Sequence, residues 1–229
     1  MTRCVRRGVS LPRPLLIVMN PRRIPECVDA IDALSIDKVW VKNYTERELV
    51  DVIADIIANA EHDLIGIISD DARPDQAALD LVVDAYKPGA VYTGYCNLSE
   101  HDYRVNLSTA PLMIQFEATM DCYTFVTKDE LEAQPEPLIR SWFAGHCFTF
   151  MSRDLWTRFP FGVVDSGKGT QSDYHLCCRL QESEVDIWAV RGAFVEHVKR
   201  YSNTGDDTAG RALLVGVEPA EVVWDLIPE

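Results

Sequence analysis

The first residues that could do chemistry are two adjacent aspartates, Asp70 and Asp71, which follow Ser69 and the apolar residues 64–68. A continuous apolar run of this length is typical of a buried strand, and residues 72–74 then break the chain. Ligands collect at the carboxyl ends of strands in an open α/β sheet, and hard divalent cations prefer oxygen ligands. The pair could therefore hold a divalent cation against a phosphorylated ligand. Aspartates also end strands because they bond their own backbone in turns, so the motif alone leaves both interpretations open.

A third carboxylate, Asp173, lies in the first turn of a predicted helix, residues 172–182, in line with an apolar stripe on that helix. At the rim of a pocket it would be partly desolvated, which suits a general base. An acidic residue in a first turn is also stabilised by the helix dipole alone, and this simpler explanation stays open.

Two ring side chains, one imidazole and one indole, are further candidates. His197 ends the predicted strand 193–198, whose alternation turns it inward, where a hydrogen-bonded core histidine is the commoner finding. Trp142 precedes a turn and is the best candidate to stack on a sugar ring, although plain packing is the commoner explanation of such a tryptophan. His146 and Cys147 are adjacent, so in a strand their side chains would diverge, which argues against a cysteine–histidine nucleophilic pair.

Alternating patterns in the first hundred residues predict the order β-α-β-α-β-α-β, and hence right-handed crossovers and a mostly parallel sheet. A helix near 75–86 is expected to turn four side chains inward, which are Ala78, Leu81, Val82 and Ala85. The second half of the sequence predicts short strands and loops over 97–127, a loop or short helix over 128–137, a strand at 148–151 and a short helix capped by Ser152. It also predicts a mobile loop at 162–170 and strands at 185–190 and 193–198.

Charge and composition limit the partners and the cellular compartment. The chain of 229 residues carries a net charge of −14, although residues 1–25 hold six arginines and no acid. An acidic body disfavours broad contact with DNA or RNA, which needs clustered Lys and Arg. No apolar stretch approaches the ~20 residues of a membrane helix, and the seven cysteines form no C-x-x-C pair. We expect a soluble, cytoplasmic protein with reduced thiols and no membrane span.

From about Leu15 to His197 the chain resembles the GT-A glycosyltransferases, especially the inverting family 2 type. Ser69-Asp70-Asp71 is similar to the DxD-type motif of that family. Gly145–Arg153 is similar to the glycine-led strand of that family with its following basic residue. Phe159–Phe161 with Asp165 is similar to its "pFDe" segment, and Ser172–Leu180 is similar to its "ED-x-x-L-x-x-R" helix. Val185–Trp188 and Val195–His197 are similar to its closing strands.

The resemblance implies an α/β, Rossmann-like GT-A sheet flanked by helices, with a small C-terminal acceptor-side region. It implies a metal-dependent, inverting transfer of a sugar, as in hexosyltransferases, from a nucleotide-diphosphate sugar, most simply a UDP-sugar, to an acceptor hydroxyl. Asp71 and His197 would bind Mn²⁺ or Mg²⁺, and Asp173 would be the catalytic base. The residues implicated in binding the donor are Asn20, Arg22, Asn43, Asp70, Trp142 and Gly145.

The implied organisation is a basic tail at 1–14, a nucleotide-sugar-binding half at 15–96, a catalytic and acceptor half at 97–200 and a C-terminal tail at 201–229. Two positions depart from the family pattern: Ser172 replaces the usual acid, and Asn43 or Tyr44 replaces the acid that often reads the uracil. A nucleotidyltransferase with a related sheet, or a non-catalytic nucleotide- or glycan-binding homologue, stays open. The acceptor stays open among glycan, protein, small molecule and modified-base DNA, as does the oligomeric state.

Overall fold

A computed structural model describes residues 13–19, 24–41, 46–99, 102–115, 118–162 and 172–198, without the side chains of 46–48. The strands are β1 Pro14–Met19, β2 Asp37–Val41, β3 Leu64–Ser69, β4 Ala72–Arg73, β5 Val91–Tyr95, β6 Asn97–Ser99, β7 Asp102–Val105, β8 Leu138–Ser141, β9 Thr149–Ser152, β10 Ile187–Phe194 and β11 Glu196–His197. The helices are α1 Pro25–Asp32, α2 Glu46–Asn59, α3 Gln76–Ala85, α4 Lys128–Glu132, α5 Arg153–Arg158 and α6 Ser172–Glu182, with a 3₁₀ turn at Met120–Cys122.

Seven strands form the central sheet in the order β2-β1-β3-β9-β5-β10-β8. Strand β1 pairs in parallel with β2 and β3, and β10 pairs in parallel with β5. Strand β9 lies antiparallel between β3 and β5, and β8 is an antiparallel edge strand beside β10. The predicted mostly parallel sheet flanked by helices is confirmed, and its β-α-β order over the first hundred residues explains the parallel pairing.

The central strands are buried on both faces, which is why they read as continuous apolar runs. In β1, Ile17 packs into one core with helices α2, α5 and α6, while Leu16 packs into a second core with helices α1 and α3. Ile67 and Ile68 of β3 divide between the same two cores. A strand enclosed in this way has little freedom to shift, so the residues that follow its carboxyl end are held in fixed positions.

The N-cap of α3 agrees with the sequence, but the face that this helix buries does not. The Asp75 side chain accepts a hydrogen bond from the Ala78 amide at 2.7 Å. The helix buries Ala78, Leu79 and Val82, whereas Leu81, which we predicted to point inward, is 41% exposed. The rotation is small, because Ala78 and Val82 lie inward in both arrangements and Leu79 takes the place of Leu81.

The segment over residues 185–198 also folds differently from the pattern. Two separate strands were predicted at 185–190 and 193–198, but residues Ile187–Phe194 form one strand. Its pairing with β5 shifts register after Ala189, and Gly192 takes a positive φ of 85° within this irregular part. A positive φ is cheap for glycine, so the strand can kink there without ending. His197 then lies in a separate short strand, β11, outside the central sheet.

Candidate active site

Backbone pairing brings Asp71 and His197 together although 126 residues separate them. Strand β11 runs antiparallel to β4, so that His197 lies opposite Ala72, which follows Asp71 directly. The Val198 amide donates to the Asp71 carbonyl at 2.7 Å and closes this ribbon. The two side chains therefore meet through main-chain geometry rather than through their own attraction.

The imidazole of His197 is held by a hydrogen bond on each nitrogen. Its Nδ1 lies 2.9 Å from the Asn97 carbonyl oxygen, and its Nε2 lies 3.1 Å from Asp71 Oδ2. Because a carbonyl oxygen only accepts, Nδ1 carries the proton, and Nε2 of the neutral ring is then an acceptor. The contact between Nε2 and Asp71 Oδ2, which would then both be acceptors, is favourable only with a proton on Nε2 or with a cation bound to both atoms.

The pair has the chemistry of a divalent cation site. Ser69 Oγ donates to Asp71 Oδ1 at 2.7 Å, which fixes the carboxylate and leaves Oδ2 toward His197. The carboxylate oxygen suits both Mn²⁺ and Mg²⁺, and the imidazole nitrogen beside it favours Mn²⁺, the softer of the two cations. The carbonyl behind His197 is the usual outer partner of a metal-binding histidine. Within the described residues no group of three or more His, Cys, Asp or Glu side chains could hold a metal ion. Asp71 and His197 therefore suit a cation that takes its other ligands from substrate and water.

A cleft of about 310 Å³ opens beside this pair. Its lining residues are Ser69, Asp71, Cys96, Asn97, Leu98, Asp102, Asn106, Met120, Gly145, His146, Cys147, Asp173 and His197. The structure therefore places Asp71, Asp173 and His197, predicted from three distant segments, around one cleft at the carboxyl end of β3.

Asp173 reaches the cleft from the first turn of α6, and its neighbours fix that helix in place. The Asp173 carboxylate accepts from the Tyr174 amide at 2.8 Å and is partly exposed. The buried Tyr174 hydroxyl donates to the Met113 carbonyl and accepts from the Gln115 amide at 3.1 Å. Farther along α6, the Arg179 guanidinium donates to the Pro160 carbonyl at 2.5 Å. The helix therefore offers a carboxylate on a fixed support, as a general base requires.

His146 is a cleft residue that the sequence analysis set aside. Residues 146–147 form a turn before β9 rather than part of a strand, so both His146 and Cys147 line the cleft. The two do not form a nucleophilic pair: the Cys147 thiol accepts from Asn106 Nδ2 at 2.9 Å. The His146 ring is 9% exposed and lies over Phe161, with ring centroids 4.7 Å apart. Burial lowers the pKa of His146, and the Asp173 charge opposes that shift only in part.

Gly145, predicted as a donor-binding residue, lines the cleft because Asn106 packs against its backbone. A Cβ at Gly145 would lie 2.8 Å from Asn106 Nδ2, closer than real Cβ contacts come. Asn106 is held by the Cys96 amide, which donates to its Oδ1 at 2.8 Å, and Thr149 Oγ1 donates to the Gly145 carbonyl at 2.7 Å. The glycine is therefore required by close packing and lets the turn approach the cleft floor.

Other predicted binding residues lie elsewhere. Asp70 is 2% exposed and does not line the cleft, so its predicted contact with a ribose has no support from this geometry. Trp142 also lies outside the lining and carries the Arg140 guanidinium 4.6 Å from its ring centroid, which does not support its predicted sugar stacking. The predicted residues Asn20, Arg22 and Asn43 lie outside the described part of the chain.

Sequence reasoning missed Asn97 and Asn106, although a signal for Asn97 was present. Asn97 comes two residues after the end of β5, and the strand-end rule that selected Asp70 and Asp71 applies equally there. Asn106 gives no such local signal, because its role depends on contact with Gly145 and Cys147 from a distant turn. Both asparagines brace the site, Asn97 through its carbonyl and Asn106 through its side chain.

Neither a protein-family model nor the sequence of a curated protein matches this chain. Solved structures do match this chain. GalNAc-T7 with UDP, GalNAc and Mn²⁺ has a TM-score of 0.56 at 8% identity, covering 85% of this chain and 45% of that one. The mannosyltransferase PcManGT from Pyrobaculum calidifontis with GDP-Man and Mn²⁺ has a TM-score of 0.52 at 12% identity, covering 88% and 60%.

The chain spans about half the length of these two proteins. At such low identities the likeness shows the fold alone, and it confirms the GT-A-like, Rossmann-like fold that the sequence motifs indicated. None of the helices that the structure describes is long and apolar enough to span a bilayer.

Proposed function

We propose that this GT-A-like chain is a metal-dependent, inverting glycosyltransferase. It transfers a sugar, a hexose in the simplest case, from a nucleotide-diphosphate sugar, which we take to be a UDP-sugar, to an acceptor hydroxyl. The observation that carries the proposal is the single cleft shared by the Asp71–His197 pair and by Asp173. A cation site and a separate carboxylate facing one cavity are the two groups that such a displacement needs.

The solved structures support the choice of donor. GalNAc-T7 was solved with UDP, a sugar and Mn²⁺, and PcManGT was solved with GDP-Man and Mn²⁺. Both proteins combine a nucleotide with a divalent cation on the same fold. In this chain, Asp71 and His197 would hold Mn²⁺ or Mg²⁺, with Ser69 and the Asn97 carbonyl orienting them.

The cation, when bound, would neutralise the negative charge that develops on the leaving nucleoside diphosphate. Asp173 takes the proton of the acceptor hydroxyl, and that oxygen attacks the anomeric carbon from the face opposite the diphosphate. A new carbon–oxygen bond forms while the bond to the diphosphate oxygen breaks. One displacement of this kind inverts the anomeric configuration, and Asp173 ends the step protonated.

The two halves predicted from the sequence contribute separately to this reaction. The donor half, residues 15–96, supplies Asp71, and the acceptor half, residues 97–200, supplies Asp173 and His197. Asn20, Arg22 and Asn43 remain our proposals for contacts with the nucleotide. Asp70 and Trp142 do not line the cleft, so the proposal does not depend on a contact between either residue and the donor.

Product analysis tests the proposed function. The protein is first screened by thermal shift with UDP-, GDP- and CDP-sugars, with and without Mn²⁺, because a ligand that binds the folded state raises Tm. Stabilising donors are then incubated with simple glycoside acceptors. We expect Mn²⁺-dependent release of nucleoside diphosphate and a product of inverted anomeric configuration.

Other outcomes would favour the alternatives. Release of pyrophosphate from a nucleoside triphosphate would identify a nucleotidyltransferase. The replacement of the usual acid by Ser172 favours a second candidate, a non-catalytic nucleotide- or glycan-binding protein. Binding of a nucleotide sugar without even slow hydrolysis in Mn²⁺ would support that candidate and contradict the enzyme.

A further inference from the structure

Orphaned polar atoms concentrate at the cleft. Among the described residues, five buried side-chain nitrogen or oxygen atoms lack a hydrogen-bond partner, and three of them belong to the cleft-lining residues Asn97 and His146. Both nitrogens of His146 are in this group. Buried polar groups in native proteins are nearly always paired, so several exceptions around one cavity call for a partner from outside the chain.

None of the residues that the structure describes supplies that partner to the His146 ring. It lies against Phe161 on one side, and its neighbour Cys147 is already engaged with Asn106. Asp173 lines the same cleft close enough to act on the imidazole electrostatically. Burial lowers the pKa of the His146 imidazole more than that charge raises it, so the ring is an uncharged group beside the proposed base, with one nitrogen that donates and one that accepts.

We infer that His146 is a substrate-binding residue that hydrogen-bonds a sugar hydroxyl held next to Asp173. A neutral imidazole matches a hydroxyl, since each group both donates and accepts, whereas it has no charge to offer a phosphate. A half-turn of the ring exchanges its nitrogen and carbon positions without changing its volume, so either nitrogen can face the cavity. This inference deepens the proposed function and rests on it: the hydroxyl belongs to the transferred sugar or to the acceptor.

The key variant is His146→Phe, which keeps a ring of similar size against Phe161 and removes both nitrogens. Because it removes two unpaired buried polar atoms, we expect Tm to stay unchanged or to rise. We expect the thermal shift with UDP and Mn²⁺ to persist, while kcat/KM for sugar transfer falls by at least about tenfold, the effect of one lost hydrogen bond. His146→Gln, which keeps a donor and an acceptor, should recover part of that loss.

His175→Phe is the matched control. His175 also has a buried, unpartnered ring nitrogen, but it does not line the cleft. We expect this variant to transfer sugar at the wild-type rate. If His146→Phe also turns over like the wild-type protein, His146 does not bind substrate and the inference fails.

Spectroscopy of the intact protein gives a readout other than activity. The ¹⁵N signals of the His146 ring are followed with Mg²⁺ and, in turn, UDP, a UDP-sugar, and the UDP-sugar with a methyl glycoside. A shift that first appears with the UDP-sugar identifies a hydroxyl of the transferred sugar, and one that needs the methyl glycoside identifies the acceptor. Absence of any shift with a turned-over substrate overturns the inference. If the wild-type protein releases no nucleoside diphosphate from any donor, the proposed function fails, and this inference, which rests on it, fails as well.

Discussion

The two walls of the cleft are built in opposite ways. On the cation side, Asp71 and His197 are fixed by a two-stranded ribbon and by hydrogen bonds to Ser69 and Asn97. On the base side, Asp173 stands partly exposed on the first turn of a helix, and His146 has no protein partner among the described residues. The two protein ligands of the cation side are oriented before substrate arrives, whereas the hydrogen bonds of His146 on the base side wait for the substrate itself.

This difference has a physical basis. A cation site must hold its ligands within a few tenths of an ångström, which backbone pairing achieves. A base must give up the proton it has taken before the next turnover, and a group that binds hydroxyls must leave its hydrogen bonds open until they are used. Variants on the two sides should therefore change different quantities: metal affinity on one side and turnover on the other.

Asp71→Ala should have the largest effect, because it removes one of the two protein ligands proposed for the cation. We expect Mn²⁺-dependent stabilisation by a nucleotide sugar to disappear and transfer to fall below detection. Thermal shift and nucleoside diphosphate release are the measurements. Asp186→Asn is the control, since Asp186 is paired with Arg140 outside the cleft. Retained metal-dependent donor binding in Asp71→Ala would place the cation elsewhere.

Asp173→Asn should lower turnover by about 10²- to 10⁴-fold, the usual contribution of a general base. The amide cannot take the proton but keeps the size of the carboxylate, so donor and metal affinity should not change. Steady-state kinetics together with a donor titration separate the two effects. Full turnover by this variant would show that another group accepts the proton.

Ser69→Ala tests how strongly the cation side depends on its outer partners. Loss of the hydroxyl frees the Asp71 carboxylate to rotate, and we expect Mn²⁺ affinity to fall by about 10- to 100-fold, as for other residues that orient metal ligands. The measurement is calorimetric titration of Mn²⁺ in the presence of UDP. Unchanged affinity would mean that the ribbon alone orients Asp71.

Gly145→Ala should have the smallest functional effect and act mainly on stability. The new methyl group would meet Asn106 Nδ2 at 2.8 Å and force it to move. Overpacking of this kind costs about 1–3 kcal/mol in the free energy of unfolding. Gly162→Ala is the control, because its Cβ would meet nothing closer than 3.7 Å. Equal urea midpoints for the two variants would show that Asn106 yields freely.

Much of the fold could be predicted from local pattern, because the apolar period reports which face of an element is buried. The pattern placed α6 at 172–182, where the structure has it, and it placed Asp70 and Asp71 after a buried strand. The capping prediction at Ser152 also agrees: its side chain accepts from the Leu155 amide at 3.1 Å. The apolar pattern gave the wrong inward residue at Leu81. A helix that is buried over a wide arc has more than one plausible set of inward residues, and the pattern does not choose between them.

By itself, then, the sequence determined the main order of strands and helices over the first hundred residues and the placing of two carboxylates at a strand end. Only the tertiary structure decided that β9 inserts antiparallel between β3 and β5, that β11 pairs with β4, and that His146 reaches the cleft. The physical reason is the distance along the chain: periodicity and capping act within a few residues, whereas pairing between segments far apart in the sequence depends on how the whole sheet packs.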